Sequence, residues 1–262
     1  MDNRLAIGVP IKRTRERLKY SDLLYFLNLL WFRLIKFDHI NITIGWINLT
    51  SFVDINITIG WINLTSFVVS FLLFEIFYLL SLTPAQREKK RGEKAWKESE
   101  RFRIICGIFE TVTTVNIFLW IPFPVPELQW EISDSYLVLI ITVIVLSIPC
   151  VILMVKGMMD AGSETMTPDK ENEMYRGIYK YIRHPQSLGE FPLFIIFALL
   201  TNTWFMVILT TVLIVPYVPI MVRVEEKDLV LRFGDSYREY QQKTGALIPK
   251  FGFRSKQDAD ES

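Results

Sequence analysis

The sequence predicts an all-α membrane protein, a polytopic bundle of about six transmembrane helices with a cytoplasmic C-terminal helical tail. Three observations carry that expectation. Of the 262 residues 51% are hydrophobic and 14% aromatic, and the mean hydropathy is positive, so composition sets the class before any motif does. The charged residues collect at 2–19, 86–103, 156–183 and 222–262, where a soluble globule would spread them. The runs left between them are apolar and long.

The elements follow in chain order. The N-terminus, MDNRLAIGVPIKRTRERLK, lacks an apolar core followed by a small-residue cleavage site, so no cleaved signal peptide is expected. Residues 21–53 read as one crossing in which Arg33 and Lys36 snorkel or face protein. Residues 57–82, 102–123, 134–155 and 203–222 are each long enough to cross roughly 30 Å of hydrocarbon. Residues 188–202 form a shorter crossing, joined to the next by the polar TNT at 201–203 as a tight hairpin. The stretch 86–103 holds eight Lys and Arg residues, whereas 124–134, PVPELQWEISD, holds none and has three acids. The positive-inside rule therefore places both termini, 83–103 and 156–187 in the cytoplasm.

Local signals mark the helix starts. Thr83, Pro84 and Gln86 fit an N-cap, an N1 proline and a capping-box partner, and Thr167-Pro168-Asp169 resembles another start. Gly234 fits a helix end, with Ser236 and Glu239 as a capping box for the next helix. The segment INITIGWINLTSFV occurs at 40–53 and again at 55–68. Its period is too short for a solenoid unit, and it reads as a duplication that lengthens an apolar segment. The repeat creates N-x-T sequons at Asn41, Asn48, Asn56 and Asn63, all embedded in apolar runs and expected to stay unglycosylated.

Several function classes drop out. A net charge of +1 lacks the basic excess of a nucleic-acid footprint. Cys106 and Cys150 lie in apolar runs, which disfavours a disulfide or a thiolate metal site. The acids Asp160, Glu164, Asp169, Glu171 and Glu173 lack ligand spacing and read as a solvated loop face, so no metal is expected. There is no GxGxxG, P-loop or CxxC.

What remains lies towards the C-terminus. Arg183, His184 and Pro185 stand at the cytoplasmic edge of the 188–202 span, and the returning 203–222 span delivers Arg223, Glu225 and Glu226 to the same edge. Singly, Arg183 reads as a membrane anchor, His184 as an interfacial polar residue and the two glutamates as a solvated helix face. Their joint placement favours a site. A guanidinium, an imidazole and two carboxylates beside the bilayer suit a zwitterionic, ribose-bearing ligand such as S-adenosylmethionine. Pro185 shapes a bend at His184, and Pro216 and Pro219 are expected to interrupt the returning helix. Tyr237 and Tyr240 share a helix face and fit either an adenine pocket or plain packing. Glu75 and Glu190 lie inside apolar spans and are functional candidates by position alone, Glu190 nearer the proposed site.

GIYKYIRHP, an apolar hairpin, then EEKDL, FGDSYREY and KTGALIP resemble the isoprenylcysteine carboxyl methyltransferase and phospholipid methyltransferase superfamily of integral membrane enzymes. The resemblance covers about 150–252 and rests on Gly177, Tyr179, Arg183, His184, Pro185, Glu225, Glu226, Phe233, Gly234, Tyr237, Tyr240 and Pro249. It implies S-adenosylmethionine bound on the cytoplasmic side and a lipophilic substrate, prenyl, lipid or other, entering from the bilayer. Ser187 departs from the pattern, which has tyrosine there. Leu188-Gly189-Glu190 also resembles membrane enone reductases that use NADPH.

On this reading residues 1–101 form an N-terminal membrane region and 102–262 a methyltransferase core. Arg183, His184, Arg223 and Glu226 are the catalytic candidates. The cofactor candidates are Tyr179, Arg183, His184, Pro185, Leu188, Gly189, Glu225, Glu226, Tyr237 and Tyr240. The alternatives are an NADPH-dependent reductase and a non-catalytic membrane scaffold. Membrane lipids are the expected surroundings, and oligomeric state is left open.

Overall fold

The computed structural model describes residues 42–168, 170 and 176–250, with side chains from Asp54 onward. The chain divides between Phe52 and Val53 into two compact units. Of the first, only helical backbone is described; the packed bundle belongs to the second. The expected crossing at 21–53, the side chains of the first repeat copy, Asp169, Glu171, Glu173 and residues 251–262 lie outside the described residues.

The all-α expectation holds. In chain order the helices are α1 (Ile42–Ser81), α2 (Pro84–Arg91), α3 (Lys94–Leu119), α4 (Tyr136–Ala161), α5 (Pro185–Ala198), α6 (Trp204–Phe233) and α7 (Asp235–Lys243). Four of them, α1 from Asp54, α3, α4 and α6, are long and apolar enough to cross a membrane, and α5 is a shorter apolar helix. Their outer faces confirm the solvent. Leu137, Ile144 and Ile152 on α4 are 65%, 56% and 61% exposed, a surface that water would penalise and lipid does not.

An aromatic seam holds the bundle together. Phe67, Phe71 and Phe74 recur at four- and three-residue spacing on α1, so they share one face. Phe71 meets Phe194 of α5 at 5.5 Å between ring centroids, and Phe191 meets Tyr217 of α6 at 5.5 Å. Polar contacts add to it where lipid offers no competing partner. Asn63 donates to the Asn116 carbonyl at 3.0 Å, and Thr113 donates to Ser70 at 2.9 Å. Asn63 is buried, so this sequon is closed to a glycan.

The α5–α6 hairpin turns at Asn202, which takes the left-handed conformation at φ 52°. Its side-chain oxygen accepts from the Ile132 and Ser133 amides at 3.2 and 3.0 Å, tying the turn to the acidic loop. Thr203 caps α6 by accepting from the Phe205 amide.

Three local expectations are corrected. Pro216 and Pro219 sit inside a continuous α6 and do not interrupt it, because a packed bundle re-satisfies the freed backbone groups. Thr83 makes no side-chain cap. The Asp228 carboxylate of α6 accepts instead from the Ala85 and Gln86 amides at 3.2 and 2.8 Å, a full negative charge on the positive end of a helix. Ser236 does not start α7, because Gly234, at φ 59°, ends α6 and begins α7 at Asp235 without a spacer.

Helices α4 and α5 approach closely at glycine. A Cβ on Gly189 would lie 2.4 Å from the Cys150 carbonyl oxygen and 2.5 Å from the Met154 amide nitrogen. Backbone cannot yield as a flexible side chain does. Gly189→Ala should therefore force the two helices apart and lower stability by about 1–3 kcal/mol, seen as a fall in the thermal unfolding midpoint in detergent.

Candidate active site

The site begins at a turn that only glycine fits. Gly177 has φ 57°, and a Cβ there would sit 2.1 Å from an Asp160 carboxylate oxygen. That carboxylate accepts from the Ile178 amide at 2.7 Å. Asp160, expected on a solvated loop face, is thus the anchor of the turn at Gly177–Lys180. Glu164, expected on the same face, is corrected too. It is buried and pairs with Arg232 at 2.8 Å, while the Arg232 guanidinium lies 5.1 Å over the Trp96 ring. Arg103 donates to the carbonyls of Glu164 and Thr165, fixing that turn from a third side.

After the turn the chain is extended, since a residue before proline avoids the helical region. Ile182 bridges Gly245 in parallel, and the Arg183 and His184 amides donate to the Gly245 and Ala246 carbonyls at 2.9 and 3.0 Å. The tail is thereby stitched to the segment that enters the membrane. Pro185 then occupies the first turn of α5, where its missing donor costs nothing.

Side chains converge on this seam. Arg183 Nε and Nη2 lie 2.7 and 2.6 Å from Glu226 Oε1, and Nη1 donates to the Gln241 and Thr244 carbonyls. His184 Nδ1 is 2.9 Å from Glu225 Oε2, and Nε2 is 3.1 Å from Glu226 Oε1. Gln241 donates to the second Glu226 oxygen at 2.8 Å. A ring with both nitrogens against carboxylates must donate twice, which is the imidazolium form. Burial pushes the His184 pKa down, but Glu225 and then Glu226 outweigh it and raise it from 6.5 to about 9.

Behind the cluster opens a cavity of about 650 Å³, lined by residues of every helix from α1 to α7. Tyr179, His184, Glu225, Tyr237 and Tyr240 form its charged end. Tyr237 and Tyr240 meet edge to face at 5.7 Å, and the Tyr240 hydroxyl donates to the Tyr179 carbonyl. The Tyr179 hydroxyl donates to the Gly157 carbonyl at 3.3 Å and accepts from Gln186 at 3.0 Å. Burial raises the Tyr237 hydroxyl well above its ordinary range, so it stays protonated.

The candidates from sequence divide into three groups. Tyr179, His184, Glu225, Tyr237 and Tyr240 face the cavity, as does Arg183, whose guanidinium is committed to Glu226 and the tail. Glu226 holds Arg183 and His184 from outside the cavity lining. Arg223 is exposed and Leu188 half-buried, and neither lines the cavity, while Gly189 is spent on the α4 contact. The structure also brings in residues that sequence reasoning left aside. Tyr78 of α1 lines the cavity and its phenol faces Ser187. Arg103, Gln186 and Glu110 likewise line the wall. Glu110, an acid inside an apolar span, carried the same signal as Glu190.

Comparison with known proteins gives the class. Residues 135–236 match the family model described as phospholipid methyltransferase. The chain is 23% identical over 198 residues to methanethiol S-methyltransferase 1 of Bradyrhizobium diazoefficiens, covering 70% of this chain and 66% of that protein. It is 38% identical over 72 residues to the methanethiol S-methyltransferase of Pseudomonas deceptionensis, 28% and 26% of the two chains. With the enzyme of that name from Crocosphaera subtropica the figures are 32% over 77 residues, 29% of each. The matches thus span 66% or less of the relatives' lengths. These matches agree with the resemblance read from the sequence: residues 135–236 are similar to a phospholipid methyltransferase domain, and a wider stretch is similar to methanethiol S-methyltransferases.

Two outcomes test the cluster. Removing one member of a buried ion pair strands the other, so Glu226→Ala should cost about 3–5 kcal/mol in chemical or thermal unfolding. The folded state binds the His184 proton more tightly than the unfolded chain does. Its contribution is therefore complete below pH 6.5 and is lost as pH rises through about 9. The unfolding midpoint should fall across that window, and His184→Gln should be less stable at neutral pH but show a flatter profile.

Proposed function

We propose that this protein is an integral membrane S-adenosylmethionine-dependent methyltransferase acting on a lipophilic acceptor. One observation supports this best: a cavity in the methyltransferase domain has a carboxylate and two aromatic rings at its charged end and apolar walls beyond them. The residues present fit the donor. Glu225 offers lone pairs to an ammonium or a ribose diol, and Tyr237 and Tyr240 offer ring faces to a purine. When bound, S-adenosylmethionine supplies a methyl group already activated on positive sulfur.

What the chain contributes is placement and dryness. His184 and Glu225 hold the donor end, positioned by Arg183 and Glu226. Tyr78 and Ser187 border the space where donor and acceptor meet. Tyr78 of α1 belongs to the same wall. An acceptor dissolved in lipid enters between helices; prenyl chains, lipids and small apolar thiols such as the methanethiol of the relatives' names all suit the apolar wall. The charge pattern supports a donor end on the cytoplasmic side.

The NADPH reading loses its motive, because Gly189 serves helix packing and each arginine of the wall is committed to protein carboxylates or carbonyls. Calorimetry tests the proposal. S-adenosylhomocysteine should bind saturably, and Glu225→Ala should weaken binding about tenfold or more. Saturable NADPH binding with no S-adenosylhomocysteine signal would overturn it.

A further inference from the structure

Two acids of the cavity wall have no part in holding the donor. Glu110 comes from α3, one turn beyond Cys106, and Glu190 from α5, five residues past Pro185, and both line the cavity. Both residues are half-buried. Neither carboxyl has a hydrogen-bond or ion-pair partner among the described residues. Both line one cavity, so when ionised each adds negative charge to it. The cations of the wall are occupied elsewhere: Arg103 with the Glu164 and Thr165 carbonyls, Arg183 with Glu226, Arg232 with Glu164.

The surroundings sharpen the point. Arg103 and Glu110 are seven residues apart on α3, so Glu110 lies about 10 Å further along the helix. Ile104, Ile108, Met154 and Met158 line the same cavity. Two unpaired carboxyls lining one largely apolar cavity favour a proton or a positive charge within it. A ligand bearing either is favoured, and an anionic one is opposed by both acids.

We propose that Glu110 and Glu190 form the acceptor end of this cavity. They select a nucleophile that carries a proton and no negative charge, a thiol or an amine on an apolar body, and one of them takes the proton released on methylation. The proposal rests on the methyltransferase reading. In the transfer a bond forms between the acceptor's sulfur or nitrogen and the methyl carbon as the donor's sulfonium–methyl bond breaks. The bonding pair returns to the donor sulfur, and the acceptor's proton passes to the ionised carboxylate, then to solvent through the open end of the cavity. A carboxylate acceptor has no proton to give and would add a third negative charge.

Binding without any methyl donor tests this. Purified protein in detergent is titrated with hexanethiol, hexylamine and hexanoate at equal concentration, and the unfolding midpoint is followed. The thiol and the amine should raise the midpoint and hexanoate should not. Glu110→Gln with Glu190→Gln should abolish the difference, while Glu75→Gln, an acid of α1 outside the cavity, should keep it. Hexanoate stabilising the wild type as much as hexylamine does, or discrimination surviving in the double variant, would overturn the proposal. If the double variant does not fold, the wild-type titrations and each single variant decide by the same criterion. Calorimetry with S-adenosylhomocysteine on the same sample separates the two readings: no signal beside intact discrimination strikes the methyltransferase assignment and leaves the selectivity standing.

Discussion

The contact on which the rest depends is the imidazolium of His184 held between Glu225 and Glu226. It joins three parts of the chain that are far apart in sequence. The turn after α4 delivers His184, the end of α6 delivers both glutamates, and the tail closes over them through its backbone pairing with Ile182, Arg183 and His184. Arg183 adds a second cation to the same carboxylate. Two cations and two anions cancel in a place where any one alone would be costly. Because the cluster is neutral as a whole, it can sit at the foot of an apolar bundle.

This balance shapes the cavity. With Glu226 saturated by Arg183, His184 and Gln241, Glu225 is the carboxylate turned to the cavity. The tail, pinned by the same cluster, sets Tyr237 and Tyr240 beside it. The cavity therefore has a polar end built by ion pairing and an apolar length built by α3 and α4. That gradient matches a charged, ribose-bearing donor meeting a lipid-soluble acceptor.

Much of this was legible in the sequence, for reasons that can be named. Hydrophobic runs and charge clusters revealed α1, α3, α4 and α6, because in lipid the apolar face is the outside and whole segments must be apolar. The meeting of Arg183 and His184 with Glu225 and Glu226 followed from a hairpin whose two arms return the chain to its starting level. Contacts fixed by tertiary packing were not legible. Asp228 capping α2 across more than 140 residues, Glu164 buried against Arg232, and Tyr78 reaching Ser187 depend on which helices are neighbours, and no local pattern encodes that. Arg223 misled because closeness in sequence to Glu225 says nothing of which way a helical residue points. Gly189 looked like part of a ligand motif, yet its lack of a side chain is what lets α4 and α5 touch.

A cavity that brings a methyl donor to a membrane-dissolved acceptor should transfer label from one to the other. The protein, reconstituted with native membrane lipids, is incubated with methyl-labelled S-adenosylmethionine, and the labelled species are identified by mass. The expected result is a labelled, lipid-partitioning product whose formation is lost in His184→Ala. Unlabelled lipid fractions from wild-type protein that binds the donor, or label transfer undiminished in that variant, would contradict it.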